Sequence, residues 1–131
     1  MSILICVVSP DQGQQEVKDV PSTDGMQLSM DNSELLKLRL EHDLPTLHIN
    51  QLKEALIHKD FYRFAEVVMR ESNQLHAICL DTMPAIFYMN NTSKLIANTV
   101  RDINTENQKN ICAYSIDAGF HVFVFTLREN L

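Results

Sequence analysis

Apolar residues in this chain follow two spacings, and the continuous segments predict β-strands. Residues 3–8 are an unbroken apolar segment rich in Ile and Val, which is typical of a central, buried strand. Residues 111–116 and 122–127 are two further apolar segments, separated by a turn at Asp117-Ala118-Gly119. These segments together predict a small sheet that is antiparallel or mixed.

Between these strands the apolar residues recur every three or four positions, which indicates helices. Capping residues and prolines mark where the helices begin. Ser22 or Thr23 precedes a short helix that carries Met26 and Met30, and Ser33 precedes a helix that carries Leu35. Pro45 opens a helix with Leu47, and Asp60 opens one that starts at Phe61, with residues 71–81 as its continuation or as one more helix. After Pro84, a further helix runs from about Phe87 to Ile103. The polar segments 10–21 and 104–110 predict loops. Several helices packed on one face of a small sheet make an α+β fold, here a single domain over residues 1–131.

Composition and charge exclude several classes of protein. The 131 residues are 45% hydrophobic and 21% charged with three glycines, which argues against disorder. No apolar segment approaches the roughly 20 residues of a membrane helix. The net charge is −6 and no stripe of Lys and Arg is present, so nucleic acid is not an expected partner. Residues 1–9 lack the basic start of a secretory signal, and we expect a cytoplasmic protein.

The three cysteines are odd in number and lack paired spacing. Cys6, Cys79 and Cys112 each sit among apolar neighbours, which predicts three buried free thiols in a reducing compartment. The five histidines show no metal-ligand spacing with one another or with the cysteines, so no metal site is predicted.

Three polar residues in two places along the chain are candidates for chemistry, and each of them also has an ordinary structural explanation. Asp117 could be an ordinary turn residue, or a carboxylate held at the rim of the sheet where it accepts a proton or orients a hydroxyl. Ser22 and Thr23 could cap a helix, or bind an anion together with the free N–H groups of a helix start. His76 lies four residues after Ser72 on one helix face, and a structural histidine is the favoured interpretation. The sequence contains no Gly-rich phosphate loop.

Several segments, taken in order, resemble the diphosphomevalonate decarboxylase family, within the superfamily of galactokinase, homoserine kinase, mevalonate kinase and phosphomevalonate kinase. The resemblance runs from Ile3 to Leu127. The segments that resemble the family are residues 5–9 (ICVVS), 22–26 (STDGM), 35–39 (LLKLR), 59–61 (KDF), 72–84 (SNQLHAICLDTMP), 87–90 (FYMN) and 113–119 (AYSIDAG). It places residues 1–131 in the family's C-terminal domain, without the N-terminal nucleotide-binding domain.

The resemblance implies a reaction and roles for three residues. The family uses ATP, with Mg²⁺, to phosphorylate the C3 hydroxyl of mevalonate 5-diphosphate, and loss of phosphate and carbon dioxide then gives isopentenyl diphosphate. By position, Asp117 is the catalytic carboxylate beside that hydroxyl. Ser22, and with it Thr23, matches the segment that contacts the anionic end of the substrate. The family also implies a homodimer as a candidate assembly.

The chain departs from the family at the turn, which reads Asp117-Ala118-Gly119-Phe120-His121 instead of Asp-Ala-Gly-Pro-Asn. Because two bulky residues replace Pro and Asn, we expect a displacement of Asp117. A displacement of a catalytic group by about 1 Å lowers the reaction rate roughly 100-fold. Two hypotheses follow: a partial decarboxylase, or a catalytically inactive truncated relative that acts as a binding or dimerisation module. An acyl or phosphate carrier is a third idea, which the lack of an exposed modification motif disfavours.

Overall fold

A computed structural model of the chain describes residues 1–9 and 20–131. The described part contains three strands, five α-helices and a short 3-10 turn. The elements are β1 (Ser2–Cys6), α1 (Ser22–Asn32), α2 (Glu34–Glu41), α3 (Leu44–Ile57), α4 (Phe61–Asp81), α5 (Asn91–Glu106), β2 (Cys112–Ile116), β3 (Val122–Thr126) and the 3-10 turn at Arg128–Asn130. The predicted loop at 10–21 lies almost entirely outside the described residues.

The sheet is antiparallel, with the strand order β1-β3-β2. Ser2 pairs with Thr126 and Cys6 with Val122, while Cys112 and Ile116 pair with the same two residues of β3 from the other side. The α+β class is therefore confirmed. The prediction of a central first strand is wrong: β1 is an edge strand and its middle residues are exposed. Strand order depends on long-range pairing, which an apolar segment does not encode.

Local capping signals locate three of the helix starts. The Ser33 side chain accepts a hydrogen bond from the Leu36 N–H, and the Asp60 side chain accepts one from the Arg63 N–H. Pro45 lies in the first turn of α3. Each of these predictions is confirmed, because a cap acts on backbone groups only two or three residues away.

The helix predicted from Phe87 to Ile103 begins and ends later than expected. It starts after Asn90, whose side chain accepts a hydrogen bond from the Ser93 N–H, and it runs to Glu106. The preceding residues Ile86 and Tyr88 are buried in an extended segment instead. The asparagine cap is the sequence signal for the true start, whereas the apolar spacing that begins at Phe87 belongs in part to the non-helical segment before it.

Helices α4 and α5 cover the sheet. Helix α4 packs along β2, and its Phe64 ring meets Phe125 of β3 with 5.6 Å between ring centroids. Ile96 and Ala97 of α5 pack on a core cluster of Val8, Ile116 and Val122. The last strand residue before Asp117 thus lies in the core of the domain, so the turn that carries Asp117 starts from a rigid base.

The cysteines follow the prediction in part. Cys79 and Cys112 are buried, Cys6 is half-buried, and all three are free thiols. Burial raises the pKa of both Cys79 and Cys112, which keeps these thiols protonated and unreactive near neutral pH.

None of the helices in the described ranges has the length and apolar character needed to cross a lipid bilayer.

Candidate functional site

One cavity of about 530 Å³ brings together all three residues that the sequence singled out. It lies between the start of α1, the middle of α4 and the end of β2. Its lining includes Ser22, Thr23, Gly25, Arg39, Glu71, Ser72, Cys79, Tyr88 and residues 115–118. Ser22 and Thr23 are far from Asp117 along the chain, so only the tertiary fold makes them neighbours.

Asp117 is the first residue after β2, and it is exposed to the cavity and to solvent. The backbone carbonyl of Asp117 accepts a hydrogen bond of 2.7 Å from the Gly119 N–H, which closes a tight turn. An exposed carboxylate on a turn of this kind is acceptor-only when ionised. It can therefore accept a proton or orient a hydroxyl that enters the cavity.

The residue before Asp117 is held by two side chains of α4. The Ile116 N–H donates to the Ser72 Oγ at 2.9 Å, and the Ile116 carbonyl accepts from the Ser72 Oγ at 3.2 Å. The His76 Nε2 lies 3.0 Å from the same carbonyl oxygen. Because a carbonyl can only accept, His76 must carry its proton on Nε2. Both side chains are buried, so these bonds are shielded from competing water.

Burial is the main influence on the His76 imidazole. It lowers the pKa of His76, and the hydrogen bond to Ile116 and the charge of Asp117 offset only part of that effect. The imidazole is consequently neutral at pH 7 and remains a donor to the backbone.

The atypical Phe120-His121 pair is anchored to neighbouring elements. The Ser93 Oγ donates to the Phe120 carbonyl at 2.5 Å, and the Val8 N–H donates to the His121 Nδ1 at 3.1 Å. The rings of Phe120 and His121 meet edge to face with 5.1 Å between centroids. The turn after Asp117 is therefore tied both to the start of α5 and to the segment that follows β1.

The His121 contact gives a testable expectation for stability. His121→Ala should lower the free energy of unfolding by about 1–2 kcal/mol, because the half-buried Val8 N–H loses its acceptor. His58→Ala is the matched control, because the exposed His58 side chain contacts only Glu54 of α3 among the described residues, and its loss should change the free energy of unfolding by less than about 0.5 kcal/mol. Urea denaturation compares them, and equal losses would contradict a structural role for the His121 ring.

Ser22 and Thr23 occupy the first two positions of α1, and both are exposed at the cavity. The predicted capping role is wrong: the N-cap residue is Pro21, and no side chain of the described residues caps this helix with a hydrogen bond. Within residues 1–9 and 20–131, the first N–H groups of α1 therefore have no side-chain capping acceptor, which suits a bound anion. Asp24 adds a negative charge to the same turn.

Gly25 allows α1 to lie against Tyr88. A Cβ atom at Gly25 would come within 2.4 Å of the Tyr88 Oη, far inside van der Waals contact. The Tyr88 hydroxyl is buried and finds no hydrogen-bond partner among the described residues. Burial, followed by the charges of Cys79 and Asp24, raises the pKa of Tyr88, so the hydroxyl keeps its proton. Glycine at position 25 is thus a steric requirement of the cavity wall.

The effect of Gly25→Ala on the free energy of unfolding should depend on the residue at position 88. In the natural background we expect a loss of about 1–2 kcal/mol, because overpacking outweighs the roughly 1 kcal/mol helix preference of Ala. In a Tyr88→Phe background the clashing oxygen is gone and the next contact is 3.3 Å to Ile86, so the same change should be neutral or stabilising. Urea denaturation of the four proteins gives the cycle, and an equal cost in both backgrounds would disprove the contact.

A polar network joins α2, α3 and α4 at the side of the cavity. The Arg39 Nη2 donates to both Glu71 oxygens at 2.7 and 2.6 Å, the His48 Nδ1 contacts Glu71, and Gln74 also accepts from Arg39. Burial would raise the pKa of Glu71, but the hydrogen bonds and charges of Arg39 and His48 lower it below its usual value. Sequence reasoning missed this network, because its members come from three helices and share no spacing rule.

The residues present do not make a nucleotide or metal site on their own. Among the described residues that line the cavity, Arg39 is the one positively charged side chain, and it is paired with Glu71. Over residues 1–9 and 20–131, no three His, Cys, Asp or Glu side chains are grouped to hold a metal ion.

Comparison with known proteins places this fold in a family. Residues 3–131 match the family described as mevalonate 5-diphosphate decarboxylase C-terminal domain. The diphosphomevalonate decarboxylase of Saccharomyces cerevisiae is 46% identical over 113 residues, which are 86% of this chain and 28% of that protein. The one from Debaryomyces hansenii is 38% identical over 130 residues, 99% of this chain and 32% of that protein. The chain therefore spans about a third of the length of these curated relatives.

A crystal structure of a mevalonate 5-diphosphate decarboxylase superimposes with a TM-score of 0.88 at 43% identity, covering 98% of this chain and 31% of that one. The sequence resemblance is thus confirmed by an independent match of the fold. This chain belongs to the family of mevalonate 5-diphosphate decarboxylase C-terminal domains.

Proposed function

We propose that this chain forms one side of the active site of an enzyme that decarboxylates mevalonate 5-diphosphate to isopentenyl diphosphate at the expense of ATP. One observation carries the proposal: Asp117, Ser22 and Thr23, singled out by the family pattern, line a single cavity. A carboxylate and two hydroxyls on one cavity suit a substrate that has both a hydroxyl to react and an anionic group to bind.

Asp117 is the proposed catalytic group. Its carboxylate would orient or deprotonate the C3 hydroxyl of the substrate, and would stabilise positive charge that develops at C3 when phosphate leaves. The exposed position at the cavity edge supports this role, because a reacting hydroxyl has to reach the oxygen atoms.

Ser22 and Thr23 are the proposed contacts for the anionic end of the substrate. Their hydroxyls stand at the start of α1, where uncapped N–H groups add partial positive charge. Asp24 in the same turn opposes an anion, so we place the contact on the side of α1 that Ser22 and Thr23 present to the cavity.

ATP supplies the phosphoryl group that turns the C3 hydroxyl into a leaving group, and Mg²⁺ is expected to accompany it. A related structure at 26% identity and a TM-score of 0.83 is described as MDDEF in complex with MVAPP, AMPPCP and magnesium. Because Arg39 is neutralised by Glu71, we assign nucleotide binding to regions of the relatives that this chain does not span.

A segment exchange tests the proposal. The matched 113-residue segment of the Saccharomyces cerevisiae enzyme is replaced by the corresponding segment of this chain, and ADP release is measured with ATP, Mg²⁺ and mevalonate 5-diphosphate. We expect turnover that is coupled to decarboxylation. A chimera that unfolds cooperatively and yet shows no turnover would instead support the inactive binding or dimerisation module. The 131-residue chain assayed alone should be inactive.

The three free cysteines support a reducing, cytoplasmic setting. The homodimer stays a prediction, which sedimentation of the chimera and of the chain alone would test.

A further inference from the structure

The end of β2 is fixed by side chains instead of by another strand. In an extended strand the N–H and C=O of one residue point to the same side. Both groups of Ile116 are satisfied from α4, by Ser72 and by His76, which lie one helical turn apart. All three residues are at least nine-tenths buried. Two side chains of a helix thus close the open edge of β2 at the residue before the turn.

We propose that Ser72 and His76 are positioning residues that fix the backbone of Asp117, and so determine where its carboxylate stands in the cavity. This inference rests on the catalytic role proposed above for Asp117. Neither side chain needs to touch the substrate, since both act through Ile116.

The planar peptide bond makes the link direct. The Ile116 carbonyl lies in one rigid plane with the N and Cα atoms of Asp117. Two donors on that oxygen, the Ser72 Oγ and the His76 Nε2, therefore orient the plane that carries the Asp117 Cα. On the other side, the 2.7 Å bond from the Gly119 N–H holds the Asp117 carbonyl and hence the following peptide plane. The main chain of Asp117 is anchored on both sides while its carboxylate is left free.

The neutral state of His76 completes the arrangement. Burial lowers the pKa of His76, so at neutral pH the imidazole does not form a charged pair with the Asp117 carboxylate. The histidine can then hold the backbone without neutralising the group that it positions.

The opposite end of β2 offers a matched control. The Asn104 side chain accepts from the N–H groups of Ile111 and Cys112 at 2.9 and 3.1 Å, and donates to the Cys112 carbonyl at 2.8 Å. Asn104 is also buried. Asn104 therefore holds the start of β2 by hydrogen bonds between a buried side chain and the backbone, as Ser72 and His76 hold its end, but it lies far from Asp117. Asn104→Ala should lower stability without a specific effect on the rate per folded molecule.

The test uses Ser72→Ala, His76→Phe and His76→Gln in the active chimera, with kcat and KM corrected for the folded fraction. We expect the first two to lower kcat on the order of 100-fold, the cost of about 1 Å of misplacement, with little change in the KM for ATP. His76→Gln keeps an N–H donor and should restore most of the loss. A drop in kcat no larger than that of Asn104→Ala would overturn the proposal.

A second measurement separates this proposal from the catalytic one. In the uniformly labelled 131-residue chain, NMR follows hydrogen exchange of the Ile116 amide and the order parameter of Asp117. Ser72→Ala should speed exchange and lower the order parameter at Asp117, and Asn104→Ala should leave both unchanged. If the chimera without these substitutions is inactive but Ser72→Ala still speeds exchange and lowers the order parameter, the catalytic proposal fails and the positioning role stands. Unchanged order at Asp117 in Ser72→Ala would reject the positioning role.

Discussion

Asp117→Asn should lower the kcat of the chimera by about 100- to 10,000-fold, the range that a positioned acid or base contributes. The amide is almost isosteric with the carboxylate and the turn bond uses the backbone carbonyl, so the fold should be unaffected. An amide cannot accept the hydroxyl proton, nor can it offset positive charge at C3. Because Ser22 and Thr23 are untouched, the KM for mevalonate 5-diphosphate should change little.

The control for this variant is Asp102→Asn. Asp102 is an exposed carboxylate on α5 whose partner among the described residues is its neighbour Arg101, and it does not line the cavity. Its loss should leave kcat unchanged. If Asp117→Asn retained the full rate while mevalonate 5-diphosphate still bound, Asp117 would be a turn residue only, and the chemistry would have to be assigned elsewhere.

Glu71→Ala should produce the largest loss of stability, about 2–3 kcal/mol. The change leaves Arg39, whose side chain is 12% exposed, and His48, at 8%, without their shared partner. Breaking a fully buried ion pair costs about 3–5 kcal/mol, and the 35% exposure of Glu71 reduces that figure. The network joins three helices, so its loss should lower the urea concentration at the unfolding midpoint. The slope of the unfolding free energy against urea concentration should stay the same.

Acid titration provides the second readout for Glu71. The pKa of Glu71 is lowered in the folded state, so the unfolded chain binds more protons between that value and the ordinary 4.5. The stabilisation is therefore complete above pH 4.5 and is lost as the pH falls toward the lower folded value. Glu66→Ala on the same helix removes an exposed carboxylate and should shift stability by less than about 0.5 kcal/mol. Equal effects of the two variants would mean that the network contributes nothing.

Sequence reasoning was most successful where the physics is local. Ser33 and Asp60 were recognised as caps because the groups they satisfy lie within one turn. The β2–β3 hairpin followed from two apolar segments around an Asp-x-Gly turn. The edge position of β1 could not be predicted, because it depends on long-range pairing with β3, which an apolar segment does not encode.

The site divides in the same way. Asp117 and Ser22 were found through a family pattern, and no periodicity would have placed them in one cavity. The shared face of Ser72 and His76 was visible in their spacing, but their target, the backbone of Ile116, was not. Side-chain size alone predicts that Phe120 and His121 loosen the turn. Their anchors, Ser93 and Val8, come from distant segments.

The pairing of β1 with β3 also governs when this fold can form during synthesis. Ser2–Cys6 leaves the ribosome well before Val122–Thr126 is made, so the first strand has no native partner while the helices are being translated. High contact order of this kind slows folding, and an apolar strand that waits unpaired is prone to aggregate. Slower translation should therefore lower the recombinant yield, because it lengthens the time that β1 waits unpaired, and added chaperone should raise it.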